Sequence, residues 1–232
     1  VQKKLSTVKE LSLQDEHEKG RRGRRGIRRQ DLVEAALDML AAEGEQNFSV
    51  RKLATVVGVD GMTILHHFKS REGLMRAVAD AMVATLDIER PKGPWREILL
   101  EVAQRYRGLA VKYPKAFNIV SRYQTSGPAD FELGEIVYAA LLDAGLNEED
   151  AADYGMALFT LAIGFGVVEV GGMLNPCTPE EMAEIEALDP RLFPVTRKLG
   201  PVFANDERDR VFEILLGSFL DGIERALAAQ RV

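Results

Sequence analysis

Apolar residues recur along this chain at helical spacing. Val33, Ala36, Leu37 and Leu40 line one face of a first helix, which Gly44 stops. Short helices are predicted over 50–57 and about 61–67. Ser70 then caps a longer helix to about residue 86, with Glu72 in its first turn, where a carboxylate favours the helix dipole. The PKGP run at 91–94 breaks the chain. Helices follow at about 95–112, 114–124, 129–145, 148–174, 179–188 and 206–229, punctuated by Pro114, Gly127-Pro128, Asn175-Pro176, Pro190 and Pro201. No strand-like alternation of useful length and no internal repeat interrupts the series. The expected fold is all-α, with a small N-terminal three-helix unit followed by a larger helical one.

Residues 49–68, SVRKLATVVGVDGMTILHHF, meet the steric demands of a helix-turn-helix at fixed offsets. Two helices must cross at about 90–120° over a short turn. Ala54 is the small residue at the crossing, and Gly58 supplies the turn's tolerance of positive φ. Leu53, Val57, Val59 and Ile64 seal the contact. Asp60 caps the second helix, Val59 and Ile64 form its hydrophobic staple, and Phe48 with Leu53 repeats that staple one helix earlier. A generic αα-hairpin satisfies the same rules. Three features favour a DNA reader. Met62, Thr63, His66 and His67 face away from the sealing residues; Arg51, Lys52, Lys69 and Arg71 flank both helices; and an arginine-rich arm precedes them. Adjacent histidines project about 100° apart on a helix, so His66 and His67 make a poor metal pair, and no metal site is expected.

Charge strengthens this reading. The net charge is −6, yet residues 1–76 carry 15 Lys and Arg against 11 Asp and Glu, leaving 15 against 25 in the rest. A basic end on an acidic body is the footprint of a DNA reader. Arg21, Arg22, Arg24, Arg25, Arg28 and Arg29 crowd one short window, and GRRGRRG cannot bury a core. A solvated linker and an arm on phosphates or in a minor groove both fit; adjacency to the motif favours the arm. One cysteine, Cys177, excludes an intrachain disulfide framework and suits a cytoplasmic protein. The N-terminus has no apolar signal region. The densest apolar stretch, 156–174, contains Thr160 and Glu169 and reads as a buried helix rather than a membrane span.

Residues 27–75, from IRRQDLVEAALDMLAAEG through VRKLA and the GV turn to HFKSREGLM, resemble the DNA-binding domain of the TetR family of bacterial regulators. The division expected is an arm over 1–26, a helix-turn-helix domain over 27–75 and an effector-binding and dimerisation domain over 76–232. The resemblance implies that Arg51 reads a guanine edge bidentately. It has Ser49 cap its helix and bind phosphate, and Gly61 and Met62 approach bases, Met62 against a thymine methyl. Thr63 contacts phosphate or base, His66 and His67 pack on sugars and phosphates, and Lys69 and Arg71 anchor the backbone. Arg24, Arg25 and Arg28 of the arm join these DNA contacts. Leu65 replaces a frequent aromatic of the family, so a phosphate-contacting hydroxyl is missing and the arm compensates.

The helix over 148–174 is apolar nearly all round, and the last helix carries Gly217, Ser218 and Gly222. One chain cannot cover both, and a four-helix bundle with their symmetry mates does so, as in the family's dimer. An ordinary monomeric core is the plainer alternative, but a monomer cannot easily place two recognition helices about one DNA turn apart. FEILLGSFLDGIERAL also resembles the end of the tetracycline-repressor-like C-terminal domain. Candidate lining for a small organic effector is Tyr106, Phe117, Arg122, Tyr123, Phe131, Tyr138, Phe159 and Met173, each of which also suits core packing. Glu169, in an apolar run, is expected to pair with an arginine such as Arg122, to meet a ligand, or to reach solvent. All three histidines precede residue 70, so the tetracycline–magnesium chemistry that the tetracycline repressors build on a histidine of this domain is not expected.

No nucleophile elbow, P-loop or dinucleotide fingerprint is present, and the larger unit lacks histidine altogether; an enzyme is not expected, and no cofactor is implied. The expectation is a ligand-responsive repressor that binds a pseudo-palindromic operator in double-stranded DNA as a homodimer and uses no membrane. An activator of the same family and an architectural DNA binder are the alternatives.

Overall fold

A computed structural model describes residues 26–88, 93–123 and 126–230. Among these, ten α-helices form the fold: α1 Arg29–Glu43, α2 Val50–Val57, α3 Gly61–Phe68, α4 Arg71–Ala84, α5 Trp95–Lys112, α6 Pro128–Ala144, α7 Glu148–Val170, α8 Pro179–Ala187, α9 Pro194–Phe203 and α10 Arg208–Gln230. Short 3-10 turns occupy Glu45–Asn47 and Phe117–Arg122. No strand occurs among the described residues.

α1 to α3 make the small N-terminal head. Leu32, Ala36, Leu40, Leu53 and Ile64 are fully buried there and converge on Leu74 and Met75 of α4. α4 belongs to both parts: it packs on α1 and α3 in the head and on α5, α6 and the turn at Phe117–Arg122 in the body. The body is built on α5, α6 and α7, with α10 running antiparallel along α7. Phe165 of α7 meets Phe212 near the start of α10 at 4.9 Å, and Tyr154 meets Phe219 at 6.1 Å. By length and composition α7 could cross a bilayer; here it forms the body's centre against α5, α6 and α10.

Local differences from the sequence pattern have local causes. The helix expected over 114–124 is only the 3-10 turn Phe117–Arg122, because α5 ends at Lys112 and Pro114 offers no backbone donor. α7 stops at Val170, four residues early, at Gly171 and at Gly172 with φ 84. α9 was not expected. Pro201 reads as a break, but it lies in the helix's last turns, where it loses one donor, and Pro194 opens the helix at a position that needs none. α8 and α9 form a hairpin packed mainly on itself, leaving Leu192, Val195, Leu199, Val202 and Phe203 exposed on one side.

Candidate DNA-reading surface and effector region

The reading surface is assembled by caps and one tight turn. Ser49 accepts the Lys52 amide at 3.1 Å and fixes the start of α2. Gly58 ends α2 at φ 73, a left-handed conformation in which a side chain is strained. Asp60 accepts the Thr63 amide at 2.9 Å and starts α3, and Ser70 accepts the Gly73 amide at 3.0 Å and starts α4. Ile64 and Phe68 turn inward, so the opposite face of α3 looks out, with Met62 72% exposed and His66 exposed beside it. Gly61, Thr63, Leu65 and His67 are partly exposed, and the His66 and His67 rings meet edge-on at 6.0 Å. Arg51 is exposed on α2. Lys69, at φ 65, and Arg71 follow α3 at the surface.

Not every predicted cation is free. Arg28, the residue before α1, forks onto Asp31 with Nε at 3.1 Å and Nη2 at 2.6 Å, which raises its pKa. Arg71 donates to Glu45 at 2.9 Å, and Lys52 is paired with Glu43. Arg24 and Arg25 lie outside the described residues.

In the body, the structure gathers three of the predicted aromatics. Phe159 of α7 stacks edge-on with Tyr106 of α5 at 6.0 Å and Tyr138 of α6 at 6.5 Å. A close glycine makes room for Tyr138, since a Cβ on Gly155 would fall 2.3 Å from its ring, and Gly166 likewise makes room for Phe117, from which a Cβ would fall 2.5 Å. Burial, with Asp130 behind it, pushes the Tyr106 and Tyr138 phenols up. Asp130 is itself raised, chiefly by burial and further by Asp80, although the Ser126 amide at 3.0 Å opposes this. The rest of the predicted set stands apart. Phe131 is 61% exposed on α6, Met173 is 81% exposed past α7, Phe117 is buried, and Arg122 and Tyr123 face the head. An open groove of about 350 Å³ lies elsewhere, between α5 and α10, lined by Leu100, Gln104, Phe212, Leu216 and Gly217 among others.

Glu169 corrects the expectation. It pairs with Arg107 of α5, not Arg122: Nε to Oε2 is 2.9 Å and Nη2 to Oε1 is 2.5 Å. The Arg107 guanidinium also lies about 5 Å from the Phe165 and Phe212 rings and reaches Asp209 at 2.8 Å. Arg122 instead grips Glu45 of the head with both terminal nitrogens. That fork holds the Glu45 carboxyl at about 2, against partial burial and with Arg71 assisting. Sequence reasoning also passed over Asp80. From α4 its Oδ1 accepts the amides of Ala129 at 2.9 Å and Asp130 at 3.3 Å, capping α6 where Gly127 has no side chain to do so. An acid between Ala79 and Ala81 on a helix buried on several sides was the signal available.

Comparison with known proteins agrees with this architecture. Residues 32–78 match the model of bacterial regulatory proteins of the tetR family, and residues 89–227 match the tetracyclin repressor-like C-terminal domain. The chain is 27% identical over 205 residues to the class A tetracycline repressor from transposon 1721 of Escherichia coli, covering 87% of this chain and 93% of that one. It is 26% identical to an HTH-type transcriptional repressor of Mycobacterium tuberculosis, over 89% and 84% of the two chains. Among solved structures, a putative transcriptional regulator from Streptomyces coelicolor A3(2) superposes with a TM-score of 0.74 at 28% identity, over 87% of this chain and 99% of that one. The ActR protein of the same organism, solved with actinorhodin, shares the fold at a TM-score of 0.76 and 23% identity, over 87% and 98%. With one family model on the capped helix-turn-helix and the other on the helical body, the chain belongs to the TetR family of transcriptional regulators.

Proposed function

We propose that this regulator is a repressor: a homodimer that holds a pseudo-palindromic operator through α2 and α3 and releases it when a small organic effector enters the body. The observation that carries the reading is the outward face of α3. Met62 and His66 are exposed and Thr63 partly so on α3, and Arg51 is exposed on α2, on helices fixed by side-chain caps. In this reading Arg51 reads a base edge, Met62 and Gly61 lie against bases, and Ser49, Thr63, Leu65, His66, His67, Lys69 and Arg71 meet sugar or phosphate, with Arg24, Arg25 and Arg28 adding backbone contacts. The repressor assignment draws support from relatives that carry that name.

The dimer surface is the outer face of α7 and α10. Met156 is exposed there on α7, in line with Ala157, Thr160 and Gly164, and α10 exposes Val211, Ile214, Leu215 and Ser218 opposite its buried Phe212, Leu216 and Ile223. Exposed apolar and small residues on two adjacent helices fit a four-helix bundle with a second copy. The functional division is a head over 27–75 and an effector and dimerisation unit over 76–232. The effector site is centred on Tyr106, Tyr138 and Phe159, where Asp130 supplies a polar group. With Phe117, Arg122, Tyr123, Phe131, Glu169 and Met173 dispersed around this core, effector entry requires the body to open. An effector that fits only the open conformer shifts the population away from the one that spans two half-sites.

The test is selection of random duplexes by the purified protein at near-physiological salt, read by sequencing. Recovery of a pseudo-palindrome with half-sites about one helical turn apart supports the reading. A soluble dimer that enriches no motif refutes it in favour of an architectural binder.

A further inference from the structure

Glu45 lies where the head meets the body. It opens the 3-10 turn after α1, and its carboxylate serves two arginines. Arg122 of the body grips both oxygens, Nη1 standing 2.9 Å from Oε1 and Nη2 bonding Oε2. Arg71, at the start of α4 beside the reading helix, donates from Nη2 to the same Oε1 at 2.9 Å. A second body residue holds the end of α1 just before that turn: Lys115 donates from Nζ to the Ala42 carbonyl at 2.8 Å. The Glu45 side chain is 22% exposed, whereas Arg71 and Arg122 are 45% and 41% exposed. Either arginine can swing outward while the carboxylate stays in place.

One negative charge is thus divided between a cation of the body and a cation on the DNA side. Resting on the reading above that Arg71 anchors a phosphate, we infer that Glu45 is a positioning residue for Arg71 and that Arg122 controls it by occupying the carboxylate. With Arg122 seated, the Glu45 charge is largely satisfied and Arg71, held through one oxygen, is free to exchange onto phosphate. When the turn Phe117–Arg122 moves off, both oxygens fall to Arg71, which is drawn back from the DNA. That turn joins α5 to the stretch before α6, and its Phe117 packs against Gly166 of α7, so it borders the helices that carry the aromatic cluster. Rearrangement of the body thereby reaches one phosphate contact in each head through side chains at the seam, without requiring a shift of the α4 backbone.

The experiment uses full-length Arg122→Met, Glu45→Gln, the double variant and Arg71→Met. Each is titrated with the selected palindrome and with a random-sequence duplex across a salt series. For Arg122→Met, one phosphate contact per head is lost. The salt slope falls by about two per dimer, and the affinity lost between about 50 and 200 mM salt shrinks about tenfold. Glu45→Gln binds as tightly as the parent or tighter, and the double variant matches Glu45→Gln. The inference is overturned if Arg122→Met leaves the slope unchanged, or weakens binding by the same factor with and without Glu45. Arg71→Met separates the two readings: if its slope is unchanged on both duplexes, the phosphate role of Arg71 fails, whereas a changed slope there with none in Arg122→Met overturns the Glu45 inference alone. A DNA-free readout is amide hydrogen exchange over residues 45–48. Faster exchange in Arg122→Met supports the clamp, and unchanged exchange overturns it.

Discussion

Removing Arg107 is expected to destabilise the body far more than removing its partner, because of what each change leaves behind. The Arg107 and Glu169 side chains are 16% and 9% exposed and share a two-point fork. In Arg107→Met the stem still packs near Phe165 and Phe212, but Glu169 keeps its charge at the α5–α7 contact without its partner. Breaking a buried pair in this way costs about 3–5 kcal/mol. In Glu169→Gln the guanidinium retains both rings and the Asp209 carboxylate at 2.8 Å, which is 89% exposed and weak, so the expected loss is about 1–3 kcal/mol. The double variant leaves no charge stranded, and the coupling energy should be about 1–3 kcal/mol. For a chain of this size each kcal/mol moves Tm by roughly 2–4 °C, so Arg107→Met should melt about 6–20 °C lower. Urea titrations followed by circular dichroism on the four proteins measure the cycle. Additive losses below about 1 kcal/mol would show that the fork behaves as a solvent-exposed pair, and the structural role given to Glu169 would be wrong.

Four further expectations are simpler. Arg51→Ala should weaken operator binding by about 1–3 kcal/mol and relax preference at one base pair; an equal loss on every duplex would refute base reading. Deleting residues 21–26, which hold four arginines, should weaken binding to all sequences and flatten the salt slope, and an unchanged slope removes the arm from the interface. Asp130 has a folded pKa raised above 3.8, so its charge destabilises the native state once pH rises through that value; Asp130→Asn should raise stability at pH 7 and have no effect below about pH 3.8, as thermal melts would show. Glu45 is shifted oppositely, from 4.5 to about 2, so its contribution is present above pH 4.5 and is lost as pH falls towards 2; acid unfolding of Glu45→Gln should lack that part of the pH dependence.

What the chain revealed in advance follows the range of each interaction. The caps at Asp60 and Ser70 and the turn at Gly58 form as the spacing predicts, the cap at Ser49 forms as the family resemblance implies, and all four are decided within four residues. The helix over 95–112 was legible to the residue, because its apolar stripe ends where Pro114 intervenes. α9 was not, since the breaks read at Pro190 and Pro201 mask a stripe formed by Val195, Leu199 and Val202. The body's ion pairs were hidden for a different reason. Arg107 and Glu169 lie 62 residues apart, and Glu45 and Arg122 lie 77 apart, so their partners are set by how helices cross. The apolar context of Glu169 left an arginine, a ligand and solvent all open as its partner, and several arginines could supply the first.

The same distinction bears on regulation. The head is legible because it must present a fixed surface, and its contacts are local. Its attachment to the body rests on α4, buried through Leu74, Met75, Val78 and Met82, and on a few polar contacts at the seam: Glu45 with Arg122, Lys115 with the Ala42 carbonyl, and Asp80 with the start of α6. A coupling of about 1–3 kcal/mol between effector and DNA is the size of one or two such contacts. In the proposed reading, the opening of the body that admits an effector therefore needs to disturb only one or two of these contacts to reach the head. The residues of these contacts lie far apart in sequence, so in that reading a change at the seam alters the coupling while the locally capped reading head keeps its surface.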